Sequence, residues 1–372
     1  MQIFLSLAGI SFLVLCLRTI LSFREAGLAA ASENLPPLSI LKPLCGDEPR
    51  LYECLHSFCA QDYPEFQIVF GVREDDDPAV AVVERLKADF PHRDIQLVCD
   101  GHVHGANLKI SNVMNIMAQC RHDLLMVSDS DVEIAPGHFR AMATEMTEPN
   151  VAAVSCLYKG AAAVPGQIAA LGAMNINHWI VPSVLLDVAM NGIAPTLGPV
   201  LMLRREALDK IGGFKVVADH LAEDHEIGIL LHKVGFETRL SHSTIDTMVT
   251  ETSLGALIRH EVRWAHTVRA VRPTDFLLSA VTWSLPVMLA LHAFFPTLVG
   301  GVLLGLYVML RLALHRVLLA RFHFASPMSG WLVLPRECLC FFVWLISLFS
   351  RAVVWRGHPF RLLPGGRLVP LE

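Results

Sequence analysis

Three features of the 372-residue sequence predict an α/β protein: a Rossmann-like, mostly parallel sheet carrying transmembrane helices at both ends. From Leu38 to Val132, short apolar runs alternate with segments of helical spacing. That alternation builds parallel strands joined by crossover helices. Long apolar stretches sit at the two termini, and acidic clusters rather than a G-x-G-x-x-G stand at the strand ends. A dinucleotide oxidoreductase thereby loses most of its support.

The chain is 53% hydrophobic and 17% charged, with mean hydropathy +0.48. Soluble domains are nearer 25% charged, so the composition is that of a membrane protein with a soluble portion. Gln2 to Phe23 is apolar except for Arg18, and its basic residues follow rather than precede the run. That order suits an uncleaved anchor, residues 1–24, whose carboxyl side is cytoplasmic. Residues 34–273 form one cytosolic domain. Residues 276–356 supply apolar segments: Phe276 to Ala320 is long enough for two spans broken at Gly300 and Gly301, and Trp331 to Val354 contains Arg336 and Glu337. An ionisable pair inside a span is costly, and a third full span would carry Arg351, Arg356, Arg361 and Arg367 outside, against the positive-inside bias. Either this segment is re-entrant or interfacial, or the count of spans is off by one. Arg311, Arg316 and Arg321 are assigned to the cytoplasmic side, and residues 357–372 read as a basic tail.

Nine cysteines without a C-x-x-C pair predict reduced thiols rather than a disulfide framework or zinc site. Net charge −5 and no basic aromatic-interleaved patch exclude a nucleic-acid partner.

Within the soluble region, Leu38 to Leu44 reads as the first strand and Arg50 to Ala60 as a helix. Phe66 to Val72 is the second strand; it runs into Glu74, Asp75, Asp76, Asp77 and Pro78. Those acids either cap the next helix or accept hydrogen bonds from a nucleoside. A helix from Pro78 to Phe90 and a strand from Ile95 to Cys99 lead to the polar loop Gly101 to Lys109, with His102 and His104 as loop residues. Loop amides before a helix from Ile110 to Ala118, with Lys109 beside them, suit a pyrophosphate.

Leu124 to Val132 is a buried strand ending in Asp129 and Asp131. D-x-D spacing on an extended chain puts both carboxylates on one side, roughly 7 Å apart at the backbone. This is either an acidic turn or a seat for a divalent cation that brings a nucleoside diphosphate. Downstream, a helix spans Gly137 to Met146 and a strand Val151 to Leu157; His178 falls in an apolar helical stretch. Glu223 and Asp224 open the helix Ile227 to Val234, where they complement its dipole or, for Asp224, act as general base. Arg259, Arg263 and His266 form a cationic helix face near the membrane.

Taken together, Leu41 to Leu44, Asp62 to Pro64, Asp75 to Pro78, Asn107 to Val113, Asp129 to Asp131, Ala222 to Asp224, Arg263-Trp264 and Trp355 to Gly357 resemble the processive-type family 2 glycosyltransferases, and within them the family 21 ceramide glucosyltransferases. The resemblance implies a GT-A catalytic domain, a UDP-sugar donor, Mg2+ or Mn2+ as cofactor and a membrane lipid acceptor. It assigns Asp77 to the nucleotide, Asp129 and Asp131 to the metal and pyrophosphate, and Asp224 to catalysis. It gives donor roles also to a [Q/R]-x-x-R-W motif at His260, Arg263 and Trp264, with His260 departing from the expected glutamine or arginine, beside the donor role that Lys109 takes from its place before the helix. His178 matches an acceptor-side histidine. Leu44 to Pro49, Phe70 to Arg73, His178 to Pro182 and His260 to Trp264 are similar to the bacterial hopanoid-biosynthesis glycosyltransferases. That similarity implies transfer of N-acetylglucosamine from UDP-GlcNAc to bacteriohopanetetrol at the bacterial inner membrane by a multi-pass enzyme facing the cytoplasm. The acceptor is then a polycyclic lipid, or a sphingoid lipid if the chain is a ceramide glucosyltransferase. A processive polysaccharide synthase would need more spans, and a silent scaffold would not keep Asp77, Asp129, Asp131 and Asp224.

Overall fold

The computed structural model describes residues 2–25, 35–326, 329–349, 352–355 and 358–371. Arg351, Arg356 and Gly357, used above for topology and for the Trp355 to Gly357 motif, lie outside them, as does the domain boundary at Asn34.

In chain order the elements are α1 (Gln2–Ser22), β1 (Leu38–Pro43), α2 (Leu51–Cys59), β2 (Phe66–Val72), α3 (Ala79–Asp89), β3 (Asp94–Cys99), α4 (Leu108–Met117), β4 (Leu124–Ser128), β5 (Val132–Glu133), α5 (His138–Glu145) and β6 (Val151–Ala162). There follow α6 (Gln167–Asn175), a π-helical turn Ile176–Ile180, α7 (Val181–Asn191), β7 (Val200–Arg204), α8 (Arg205–Lys210), α9 (Glu223–Lys233), β8 (Glu237–Val249) and α10 (Leu254–Val271). The chain ends with α11 (Pro273–Leu278), α12 (Ser284–Phe294), α13 (Leu298–Arg321), α14 (Val333–Ser347), β9 (Ala352–Trp355), β10 (His358–Leu362) and β11 (Leu368–Pro370).

Eight strands form one mixed sheet in the order β3-β2-β1-β4-β7-β6-β8-β5. The first half, β3-β2-β1-β4, is parallel throughout, as the alternation of apolar runs predicts. β1, β2 and β4 are buried at every residue, because helices cover both faces of such a sheet. One core on each face follows: Leu38, Ile40, Phe58 and Phe70 on one side, Leu41, Val69, Ile110 and Leu125 on the other.

Three expectations are corrected. The strand expected through Val132 stops at Ser128; the chain crosses from the centre of the sheet to its edge, where Val132 pairs with Thr247 of β8. Asp129 and Asp131 therefore sit on a connection, fixed by Asp129 N–H to Pro199 O at 3.0 Å and Met248 N–H to Asp131 O at 2.8 Å. The break between the apolar C-terminal helices falls at Phe295 to Thr297, not at the glycines: the Thr297 side chain accepts the Gly300 N–H as an N-cap, and both glycines enter the first turn of α13. Arg311 is no loop arginine but a buried residue of α13, 3.0 Å from Glu337 Oε2 on α14. After α14, β9, β10 and β11 form an antiparallel sheet.

Among the described residues, five helical segments are long and apolar enough to cross a membrane, including residues 167–191, not foreseen from sequence. That segment leaves from β6 and returns to β7, neighbours in one sheet, so both its ends lie on one side. α14 likewise returns. Before it, Ser326 Oγ accepts the Ala162 N–H at 2.9 Å; after it, Leu368 N–H reaches Asp219 O at 2.7 Å and Gly366 O accepts from Leu221 N–H at 2.9 Å. Both flanks are tied to the sheet domain.

Candidate functional site

The site is built around a lysine that joins two halves of the sheet. Asn107 caps α4, its Oδ1 accepting the Ile110 N–H at 3.0 Å. The helix therefore begins two residues earlier than the sequence suggests, and Lys109 lies in its first turn rather than in a loop. Its Nζ is 2.6 Å from Asp129 Oδ1 and 2.8 Å from Glu223 Oε1. Burial works against the charge of Lys109, but the two carboxylates outweigh it and hold the ammonium above its ordinary range. The lysine thus clasps the D-x-D connection to the start of α9, one residue from Asp224.

A second lysine, read from sequence only as a strand end, lies beneath. Lys42 is wholly buried at the end of β1; its Nζ donates to Asp129 O at 2.6 Å and to Ser128 Oγ at 3.1 Å, and stands 3.6 Å from the centre of the Phe58 ring. Burial draws its pKa down to about 8. The signal available in sequence was a lysine inside an otherwise apolar β run, since a buried ammonium requires a dedicated partner.

The carboxylates crowd together. Burial, then Asp129 and Glu48, push Asp131 up to about 7. Ser130 Oγ donates to Glu48 Oε2 at 2.5 Å, which brings that acid to the same connection. Burial, then Glu223, push Asp224 up to about 7. Asp224 stands in the first turn of α9, its carbonyl accepting Thr196 Oγ–H at 2.6 Å. Gly198 faces its carboxylate so closely that an added Cβ would lie 3.1 Å from Oδ2. No group of three His, Cys, Asp or Glu side chains arranged for a metal occurs among the described residues. A hard cation that keeps waters and takes phosphate oxygens needs only one or two carboxylates. The mutual repulsion of Asp129, Asp131 and Glu48 fits such a cation.

The remaining expected residues fall in three places. Asp77 serves as a cap: its oxygens accept the Gly46 N–H at 3.0 Å and the Ala79 N–H at 2.9 Å. This supports the turn reading and pins the loop after β1, while Glu74, Asp75 and Asp76 are the exposed acids there. His260, Arg263 and Trp264 lie on α10; His260 Nδ1 is bonded to Glu251 and its ring meets Trp264 edge-on, with centroids 4.5 Å apart. Trp264 packs in a cluster containing Ala169, Ala173 and Tyr158, and Tyr158 is close enough to Asp224 to have its phenol raised, first by burial and then by that charge. His178 sits in the π-helical turn, buried, with Nε2 2.8 Å from His315 Nδ1 on α13. Its partners belong to the helical junction and not to the carboxylate cluster.

The C-terminal sheet closes the arrangement. Asn107 Nδ2 donates to His220 O at 2.7 Å and Asp219 accepts the Ala106 N–H at 2.9 Å, so the loops before α4 and α9 are stitched together. Over them lie Phe360, Leu362 and Leu368, packed with Leu221.

A profile described as glycosyl transferase family 21 matches residues 2–368. Ceramide glucosyltransferase 3 of Caenorhabditis elegans is 27% identical over 350 residues, 91% of this chain and 75% of the relative. An N-acetylglucosaminyltransferase of Rhizobium meliloti is 26% identical over 317 residues, covering 82% of this chain and 70% of the relative. Among solved structures, mannosyltransferase PcManGT from Pyrobaculum calidifontis, in complex with GDP-Man and Mn2+, aligns over 94% of this chain and 98% of its own with a TM-score of 0.55 and 16% identity. That last likeness is one of fold.

Proposed function

The chain belongs to glycosyl transferase family 21 and is a glycosyltransferase, and from that premise we propose that it transfers one sugar, with inversion, from a UDP-sugar to a hydroxyl of a membrane lipid. The observation that carries this reading is the Lys109 clasp, which ties Asp129 of the D-x-D to Glu223, the chain neighbour of Asp224. Asp129 and Asp131 hold Mg2+ or Mn2+, which when bound supplies positive charge to the donor diphosphate. Asp224 accepts the proton of the acceptor hydroxyl; that oxygen attacks the anomeric carbon, and the carbon–oxygen bond to the diphosphate breaks with its electron pair leaving on UDP. Lys109, His260, Arg263 and Trp264 bind the donor, with Asp77 on the nucleoside side where it pins the loop after β1. His178 acts on the acceptor side through the helical junction.

The domain layout proposed with it is an N-terminal anchor at 1–24, a cytoplasmic GT-A domain at 34–273 and membrane helices from 276, in a bacterial inner membrane. The preferred substrates are UDP-GlcNAc and bacteriohopanetetrol, a reading supported by the motif similarities and by the N-acetylglucosaminyltransferase relative. The ceramide glucosyltransferase relative supports a second reading, UDP-glucose with ceramide. Purified protein incubated with Mg2+, equal UDP-GlcNAc and UDP-glucose, and both lipids separates them by mass spectrometry of the products. An N-acetylhexosaminyl hopanoid is expected; a hexosylceramide moves the enzyme to the second reading. Full turnover by Asp224→Asn would remove the base from its role.

A further inference from the structure

Arg336 is one of the most deeply buried cations in the chain, 1% exposed on the re-entrant helix α14. Its Nη2 pairs with Glu261, itself 5% exposed on α10 between His260 and Arg263. Its Nε donates to Leu171 O of α6 at 3.0 Å. One guanidinium thus fixes three elements against each other: the membrane-side helix, the helix bearing Arg263 and Trp264, and the helix leading into His178.

The contacts around it are equally specific. An added Cβ on Gly172 of α6 would lie 3.0 Å from the Leu257 side chain of α10 and 2.7 Å from that of Val249, so both side chains fill the space the glycine leaves. Trp264 packs onto Ala169 and Ala173 of α6. Farther along, Arg269 bonds Ser347 O at the end of α14. Yet the pair is incompletely satisfied: Glu261 Oε2 and Arg336 Nη1 are buried without a hydrogen-bond partner. Apolar residues of similar volume replace such buried ion pairs at no cost to stability in many proteins, so stability does not account for this one. What a rigid fork and a single acceptor provide is register.

We propose that Arg336 is a positioning residue for sugar transfer: by clamping Glu261 and Leu171 O it sets where α10 presents Arg263 and Trp264 to the departing diphosphate. The proposal rests on the donor role given to α10 above. Misplacement of a transition-state group by about 1 Å costs on the order of a hundredfold, and the effect falls on kcat, because the charge being stabilised develops as the diphosphate leaves.

The test compares Arg336→Met, Glu261→Met, the double variant R336M/E261M and Arg336→Lys in detergent, each with its melting temperature, kcat, and KM for donor and lipid. The single methionine variants strand a buried charge and melt lower. The double variant is expected to recover the melting temperature while kcat stays at least tenfold low with donor and lipid KM within about threefold of wild type. Arg336→Lys keeps the charge but cannot serve Glu261 and Leu171 O together, and is expected to turn over faster than R336M and slower than wild type; it decides the matter if the double variant does not fold. Wild-type kcat in a folded R336M/E261M or R336K protein overturns the clamp. Arg263→Ala, measured alongside, separates the two ideas. If it keeps full turnover, the donor role of α10 falls and the clamp with it. If it loses turnover while R336M/E261M does not, only the clamp falls.

Discussion

Glu223→Gln should move the acid limb of the pH–rate profile to lower pH. In the free protein Asp224 is pushed up to about 7, with burial as the first cause and the Glu223 charge as the second, while Lys109 pulls the other way. Glu223 is 11% exposed at its side chain and holds Lys109 at 2.8 Å. Two carboxylates on the order of 7 Å apart repel by roughly 2 kcal/mol at an effective dielectric near 20. Lys109 already cancels part of this, so about 1.4 kcal/mol, or one pKa unit, is the expected relief. Removing the Glu223 charge also leaves Lys109 free to favour the remaining carboxylates, which acts in the same direction. A base must be unprotonated to work, so activity is lost as pH falls through the pKa; lowering that pKa preserves activity about one unit further into acid. The assay is kcat/KM for the lipid acceptor from pH 5.5 to 9 at saturating metal, which reports groups of the free enzyme. Lys109→Met should shift the limb the opposite way. A limb unmoved in both variants, or moved upward in Glu223→Gln, refutes the assignment of Asp224 as the titrating base.

Three further outcomes follow from other parts of the molecule. Gly198→Ala places a methyl 3.1 Å from Asp224 Oδ2 and should reduce kcat by roughly tenfold with little change in fold, checked by turnover beside circular dichroism. Asp131 and Asp224 both have folded pKa values raised to about 7. The folded state therefore binds more protons than the unfolded one between about pH 4 and 7, and the metal-free protein should lose on the order of 5 kcal/mol, roughly half from each group, as pH rises from 5 to 8, read as a falling Tm; a Tm that rises across that window contradicts the shifts. With α14 re-entrant, a cysteine introduced at exposed Pro296 should react with an impermeant maleimide on one face of sealed vesicles and one at exposed Val369 only on the other; labelling from the same face would make α14 a full span.

The parallel half of the sheet was legible because β1, β2 and β4 are apolar runs bounded by turn residues, the pattern that burial on both faces imposes. β8 was not: Glu237 to Val249 is a 13-residue strand whose Glu237, Arg239, His242 and Asp246 mask its periodicity, and it sits beside the edge strand where polar side chains meet solvent. The 167–191 segment escaped notice because Asn175, Asn177 and His178 interrupt it, and each has a partner that sequence cannot supply. For the site, D-x-D and the Glu223-Asp224 pair were visible as acids at element ends. Their meeting through Lys109 was not, since Lys109 and Glu223 are 114 positions apart and only the order β1-β4-β7 in the sheet brings them together. Lys42 looked like a strand terminator because Pro43 follows it.

The same long-range logic gives the C-terminal segment a role that its charge alone did not suggest. The loop leading to Asp224 is held from two sides: Asp219 and His220 reach back to Ala106 and Asn107, and Leu221 and Asp219 pair with Gly366 and Leu368. The second of these contacts comes from the sheet that follows α14, and α14 also grips α10 through Arg336 and Arg269. Helix α9, which carries the proposed base, is thus held by the sheet that follows α14, and helix α10, which carries the proposed donor motif, by α14 itself. A membrane enzyme whose acceptor arrives from the bilayer and whose donor arrives from water has to fix the two approaches relative to each other. In the proposed reading, α14 and the sheet after it set that relation with few contacts, which gives the buried Arg336–Glu261 pair a use despite its desolvation cost.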